Sequence, residues 1–153
     1  MTKLLLALAM LISFTASAND AKLVKMISNK YKVQGKMALE IVNGVNKVSK
    51  THKVDKSLML AIVSTESAFK PKARNKGCVG LMQVRTNSRL ARKYLKGRNP
   101  YDVLTNLDLG ALILKSCSKE RNQIACYHGG VDRAYDRRVY SEQFLMKRFL
   151  KEN

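Results

Sequence analysis

The chain has 153 residues, with 29 Lys and Arg against 11 Asp and Glu, only 2 Pro, and no internal repeat or low-complexity linker. That length supports one core and is short for two. A formal net charge of +18 predicts salt-sensitive attraction to polyanions, yet no nucleic-acid-binding signature accompanies it, so a specific nucleic-acid partner is not expected.

In chain order, residues 1–18 read as a secretory signal. Lys3 gives a positive start, Leu4 to Ile12 an apolar stretch, and Ala16-Ser17-Ala18 a small-residue cleavage site before Asn19. The alternative is an N-terminal membrane anchor, but the apolar run is well short of the about 20 residues that span a bilayer. Cleavage removes Lys3, leaving 135 residues with 28 basic against 11 acidic side chains, a net +17. The expected location is the periplasm or outside the cell, where anionic envelope polymers are the available polyanions. Residues 19–35 are polar, Lys-rich and weakly periodic, and read as a loosely packed lead-in to a domain over 36–153.

From there the periodicity is helical almost throughout, so the fold class is mainly α. Met37, Ile41, Val45 and Val48 make one apolar stripe. Asp55 is placed to cap a helix carrying Leu58, Ile62 and Glu66. A glycine loop from Lys76 to Gln83 suggests a short turn or hairpin. Asn87 or Ser88 caps a helix with Leu90 and Tyr94 that Gly97 ends, and Asn99-Pro100 breaks the pattern. Asn106 is read as the cap of a helix through Leu114. Gln123 to His128 forms a short helix ending at Gly129-Gly130, and Val139 to Leu150 an amphipathic last one.

Glu66 is the informative acid. It closes a helix whose preceding residues, Leu58 to Val63, are apolar, and desolvation and the helix dipole both push it towards its neutral form. A glutamic acid kept protonated near neutral pH can protonate the leaving oxygen of a glycosidic bond. A second carboxylate is hard to find. Asp55 lies about 16 Å away along the helix, and Asp102 and Asp108 sit where Asp usually caps. Asp132 and Asp136 stand among arginines as surface ion pairs, with Asp132 left open as a groove residue. Three cysteines in an exported chain allow one disulfide. Cys117 and Cys126 fall on consecutive helices that a helical hairpin would bring together, leaving Cys78 free. A Cys78 nucleophile with His128 as base is the alternative chemistry. The two histidines and three cysteines have no metal-ligand spacing.

The run Glu66-Ser67-Ala68-Phe69-Lys70-Pro71, continuing through Ala73 to Gly77 and Gly80-Leu81-Met82-Gln83, resembles the first motif of bacterial soluble lytic transglycosylases, peptidoglycan-cleaving relatives of goose-type lysozyme. Asn75 stands where that family usually has serine and Cys78 where it has alanine. Asn106-Leu107-Asp108-Leu109-Gly110 resembles its next element, Cys126-Tyr127-His128-Gly129-Gly130 its A-Y-N-x-G element, and Tyr140 the tyrosine of its closing helix. The resemblance runs from about Thr51 to Phe149.

The resemblance implies a lysozyme-like fold with a glycan groove and no metal or organic cofactor. Glu66 would protonate the oxygen between N-acetylmuramic acid and N-acetylglucosamine. It would then take the C6 hydroxyl proton as a 1,6-anhydro ring closes. By motif position Tyr127 would hydrogen-bond Glu66, Gln83 and the loop backbone would bind sugar groups, Met82 would form an apolar wall, and Tyr140 would line the groove. Asn75 would orient the acid in place of serine, His128 replaces an asparagine, and Ser67 caps locally or assists. Two alternatives stay open: a hydrolytic muramidase on the same site, and a non-catalytic basic wall-binding module. A lone exported domain of this kind is compatible with a secretion or conjugation apparatus, a phage, or ordinary wall turnover.

Overall fold

A computed structural model describes residues 18–151, with side chains through 150. Apart from Ala18, the expected leader lies outside the described residues. Seven helices and a small sheet follow in the order α1 (Ala18–Tyr31), α2 (Gly35–His52), α3 (Lys56–Ser67), β1 (Arg74–Asn75), β2 (Cys78–Val79), β3 (Val84–Arg85), α4 (Arg89–Leu95), α5 (Val103–Ser116), α6 (Gln123–His128) and α7 (Arg133–Lys151). The mainly α class holds. None of the described helices is long and apolar enough to cross a membrane.

The centre of the fold is α3. Its residues from Ser57 to Ser64 are all buried, which marks a helix enclosed on every side rather than one with a single apolar stripe. It lies chiefly against α7 and also touches α2, while α2 packs on α5 and α1. Asp55 caps it as expected, its carboxylate accepting from Leu58 N–H at 2.7 Å. Asp108 ties three helices together: His52 Nε2 lies 2.7 Å from one oxygen, and Tyr94 donates to the other at 2.6 Å.

Three expectations are corrected here. The stretch over 19–35 is no loose lead-in, because most of it is α1, with Leu23 and Ile27 fully buried one helical turn apart. Leu23 and Ile27 carry the docking with Val24, Met26 and Tyr31 packed partly against the core, and the lysines that disguise them face water. Polar ties add to this: Asp20 accepts from Asn46 at 3.0 Å and from Lys56 at 2.8 Å. The second correction is Asn106. Asp102, not Asn106, caps α5, accepting from Thr105 N–H at 2.9 Å. The third is the start of α7, six residues before Val139. Asp132 accepts from the N–H groups of Ala134 and Tyr135 at 2.9 and 3.1 Å, satisfying donors that a helix start leaves unpaired.

The loop after α3 opens the groove. Ala68 and Phe69 both take left-handed backbone angles (φ 49° and 59°), a conformation unfavourable for L-residues. Burial of Phe69 against the Tyr31 ring, centroids 4.8 Å apart, holds it there. The chain then forms the antiparallel sheet β1-β2-β3, with Asn75 opposite Cys78 and Val79 opposite Val84. Lys76 and Gly77 turn the first hairpin, both at positive φ, as a two-residue type I′ turn requires.

Candidate active site

Asn106 fastens this glycine loop to the helical core. It is 1% exposed. Its Oδ1 accepts from Met82 N–H at 2.8 Å, and its Nδ2 donates to the carbonyls of Val79 at 3.0 Å and Pro100 at 2.8 Å. Gly80 lets the amide approach, since a Cβ there would fall 2.1 Å from Asn106 Nδ2. One turn further along α5, Gly110 receives the Met82 side chain; a Cβ would lie 2.2 Å from its sulfur. The Asn-x-x-x-Gly spacing thus places a hydrogen-bonding amide and a notch on one face of α5.

Beside the loop, a cleft of about 580 Å³ is lined by Glu66, Asn75, Cys78, Gln83, Tyr127 and His128, together with Lys76, Arg85, Ser88, Leu90 and Ile113. Five of the sequence-derived site residues therefore meet there: Glu66, Asn75, Gln83, Tyr127 and His128. Three do not. Ser67 donates to Val63 O at 2.9 Å inside α3. Met82 is fully buried against α5 rather than forming a wall. Tyr140 is exposed on α7 and does not line the cleft.

Glu66 sits on the last turn of α3, half-buried. Its tyrosine partner is Tyr135, whose hydroxyl donates to Oε1 at 2.6 Å. Tyr127, expected in that role, instead donates to Met82 O at 2.7 Å and so braces the glycine loop. The reason is geometric: α6 brings the Tyr127 hydroxyl to the Met82 carbonyl, whereas α7 runs against α3. The one sequence signal for Tyr135 is its helical phase with Val139 and Met146, which can be read only once the start of α7 is known. Tyr135, Val139 and Met146 form the buried side of α7, and Tyr140 lies off that line.

The His128 ring stacks on Tyr135, centroids 4.1 Å apart and planes at 21°, and Arg138 lies 5.8 Å from the other ring's centroid. Burial pushes the Glu66 carboxyl up from its ordinary range; the Tyr135 hydrogen bond and the His128 and Arg138 charges oppose this without overcoming it. Burial and the Glu66 charge in turn raise both Tyr127 and Tyr135, so both remain neutral donors.

Among the described residues, no other carboxylate lines this cleft. Asp132 is held below the ordinary range, first by its backbone hydrogen bond from Tyr135; one of its oxygens caps α7 and the other lies 3.9 Å from His128 Nε2. Asp136 accepts from Asn122 at 3.0 Å. Among the described residues, no hydrogen bond joins Cys78 to His128, whose ring is engaged with Tyr135. Nor does one join Asn75 to Glu66. Gln83 spends its Nε2 on the carbonyls of Gly80 and Ala73, at 2.9 and 3.1 Å. Cys117 and Cys126 form a disulfide and Cys78 is free.

A helical domain of this kind, its cleft flanked by a small sheet and supplied with one desolvated glutamic acid, is lysozyme-like in class. The chain belongs to the transglycosylase SLT domain family, whose model matches residues 43–144. It is also similar to a protein named membrane-bound lytic murein transglycosylase C from Glaesserella parasuis serovar 5 (strain SH0165), with 37% identity over 100 residues. That match covers 60% of this chain and 27% of the relative, so the chain spans about a quarter of the relative's length.

Proposed function

We propose that the chain is an exported lytic transglycosylase that cuts peptidoglycan glycan strands between N-acetylmuramic acid and N-acetylglucosamine without consuming water. The observation that carries this reading is Glu66, a carboxyl raised by burial and, among the described residues, the one carboxylate lining the cleft. Family membership and a relative named for murein transglycosylation support it.

Tyr135 gives to Oε1, which leaves the proton to Oε2. From there Glu66 protonates the leaving oxygen. The resulting carboxylate then takes the proton of the C6 hydroxyl on the same sugar, whose oxygen closes the anhydro ring. Attack from within the substrate benefits from proximity and needs no second carboxylate to activate water. Asn75, Gln83 and His128 border the sugar-binding surface.

Mass spectrometry of digested sacculi tests the reading. Anhydro-muropeptides are expected. Products heavier by one water would instead identify a hydrolase, and binding without release of soluble fragments a wall-binding module. The excess positive charge draws the protein to acidic wall polymers, so activity on sacculi falls with rising salt while cleavage of a short uncharged glycan changes little. Parallel salt curves would remove that targeting role and leave Glu66 untouched.

A further inference from the structure

Tyr140 stands on a part of α7 that the cleft does not use. Arg133, Arg137, Tyr140, Phe144 and Arg148 follow one another at spacings of four, three, four and four residues, so they form a single stripe along the helix. All five are exposed, Tyr140 by 55% and Phe144 by 70%. Among the described residues, no carboxylate forms an ion pair with any of the three arginines. The acids of α7 are engaged elsewhere, Asp136 with Asn122 and Glu142 with Lys30 and Tyr31. The stripe is therefore two adjacent rings flanked by three guanidinium groups that have no carboxylate partner among the described residues.

We propose that this face of α7 docks on an anionic phospholipid bilayer, its rings entering the interface and its arginines reaching lipid phosphates. Charge complementarity calls for an anionic occupant, and the rings narrow the choice. A purely ionic polymer would use the arginines and leave both rings in water. Single-stranded nucleic acid can stack on rings, but it favours a basic groove that tracks its backbone, and this face is the outside of one helix. A bilayer surface accommodates both features, because aromatic side chains favour the headgroup level and arginines extend their stems to keep the charge at phosphate.

The orientation fits a wall-facing enzyme. Tyr135, which holds Glu66, precedes Phe144 by nine residues. At 3.6 residues per turn that is two and a half turns, so the two side chains leave α7 in opposite directions. Docking through Phe144 keeps the Tyr135 side away from the lipid.

The chain has no tryptophan, so Phe144→Trp places a single reporter on this face, at an exposed site that tolerates it. With vesicles of equal parts phosphatidylglycerol and phosphatidylcholine, its emission should move to the blue and be quenched by brominated lipid; pure phosphatidylcholine should do neither. This readout is specific to α7 and cannot be produced by residues 1–18 alone. Adding Arg133→Gln, Arg137→Gln and Arg148→Gln should weaken vesicle affinity by roughly 100-fold, on the usual contribution of a basic residue at such a surface. Unchanged emission on anionic vesicles at low salt overturns the proposal. So does a shift produced by a single-stranded oligonucleotide and not by vesicles.

Discussion

Glu66 and Glu142 each accept a hydrogen bond from a tyrosine, and both tyrosine–glutamate pairs involve α7. Tyr135 of α7 gives to Glu66 of α3 at 2.6 Å, whereas Tyr31 of α1 gives to Glu142 of α7 at 2.5 Å. The two are linked through the end of α3, where Ser64 donates to the Tyr31 hydroxyl at 3.0 Å. Yet the carboxyls are pushed in opposite directions. Burial is the largest influence on both and raises both; at Glu142 the hydrogen bonds from Lys30 and Tyr31 overcome it, whereas at Glu66 the opposing groups do not. The difference is an ammonium 2.8 Å from Glu142, which has no counterpart in contact with Glu66 among the described residues. A tyrosine can orient a carboxyl without ionising it, and a lysine added to the same bond turns an acid into a structural anion.

The strongest way to break this contrast is Glu66→Gln. The amide keeps the shape and loses the proton, so cleavage of sacculi should fall by about 1000-fold or more, measured by release of soluble muropeptides. Turnover within tenfold of wild type would place the acid elsewhere. The same variant tests the raised carboxyl through stability. A native pKa above the unfolded one means the native state binds more protons, so wild-type stability declines as pH rises from the ordinary glutamate range through the native value. The variant should melt like wild type at low pH and higher than wild type at neutral pH.

Tyr135→Phe comes next, with activity down about 10- to 1000-fold for lost orientation of the acid. Because the Tyr135 bond lowers the Glu66 pKa, its loss should also move the alkaline limb of the rate profile upward. A profile left in place would reduce Tyr135 to packing. Tyr127→Phe should be milder, about tenfold, acting through the Met82 carbonyl it braces. Larger damage than from Tyr135→Phe would restore Tyr127 as the partner of Glu66.

The smallest expected effect belongs to Lys30→Met. With Lys30 partly exposed, its loss should cost only about 1 kcal/mol at neutral pH by chemical denaturation. Glu142 is depressed in the native state, so its stabilisation is present above the unfolded pKa and lost as pH falls through the native one. Removing Lys30 should flatten that acid limb. An unchanged limb would mean the Tyr31 bond alone sets Glu142.

What the sequence made legible was local. Asp55 caps α3 three residues ahead, and α6 ends at Gly129, because those signals lie within a turn of the structure they cause. The desolvation of Glu66 was legible from its apolar approach. Its partner was not, because Tyr135 is 69 residues away and the start of α7 was hidden in an arginine-rich stretch. Met82 and Asn106 stand in the expected motifs but serve the packing of the loop on α5. The notch at Gly110 and the amide against Gly80 exist only once α5 meets the loop. Likewise α1 has too few apolar residues to declare itself without the surface it docks on.

The Cys117–Cys126 bond has a consequence for timing. At six residues, α6 is too short to persist as a helix alone, yet it carries Tyr127 and His128 into the cleft. Its moorings are the disulfide, the left-handed turn at Gly129, buried Ile124 and Ala125, and the hydrogen bonds of Gln123 to Leu114 O and of Tyr127 to Met82 O; of these the disulfide is the one that redox conditions remove. Closing a ring of about ten residues removes roughly 3 kcal/mol of unfolded-chain freedom. Under reducing conditions that restraint is missing and one wall of the cleft has the greater share of disorder, while Glu66 and Tyr135 stay where the other helices hold them. Oxidation thus acts as an assembly step for the cleft.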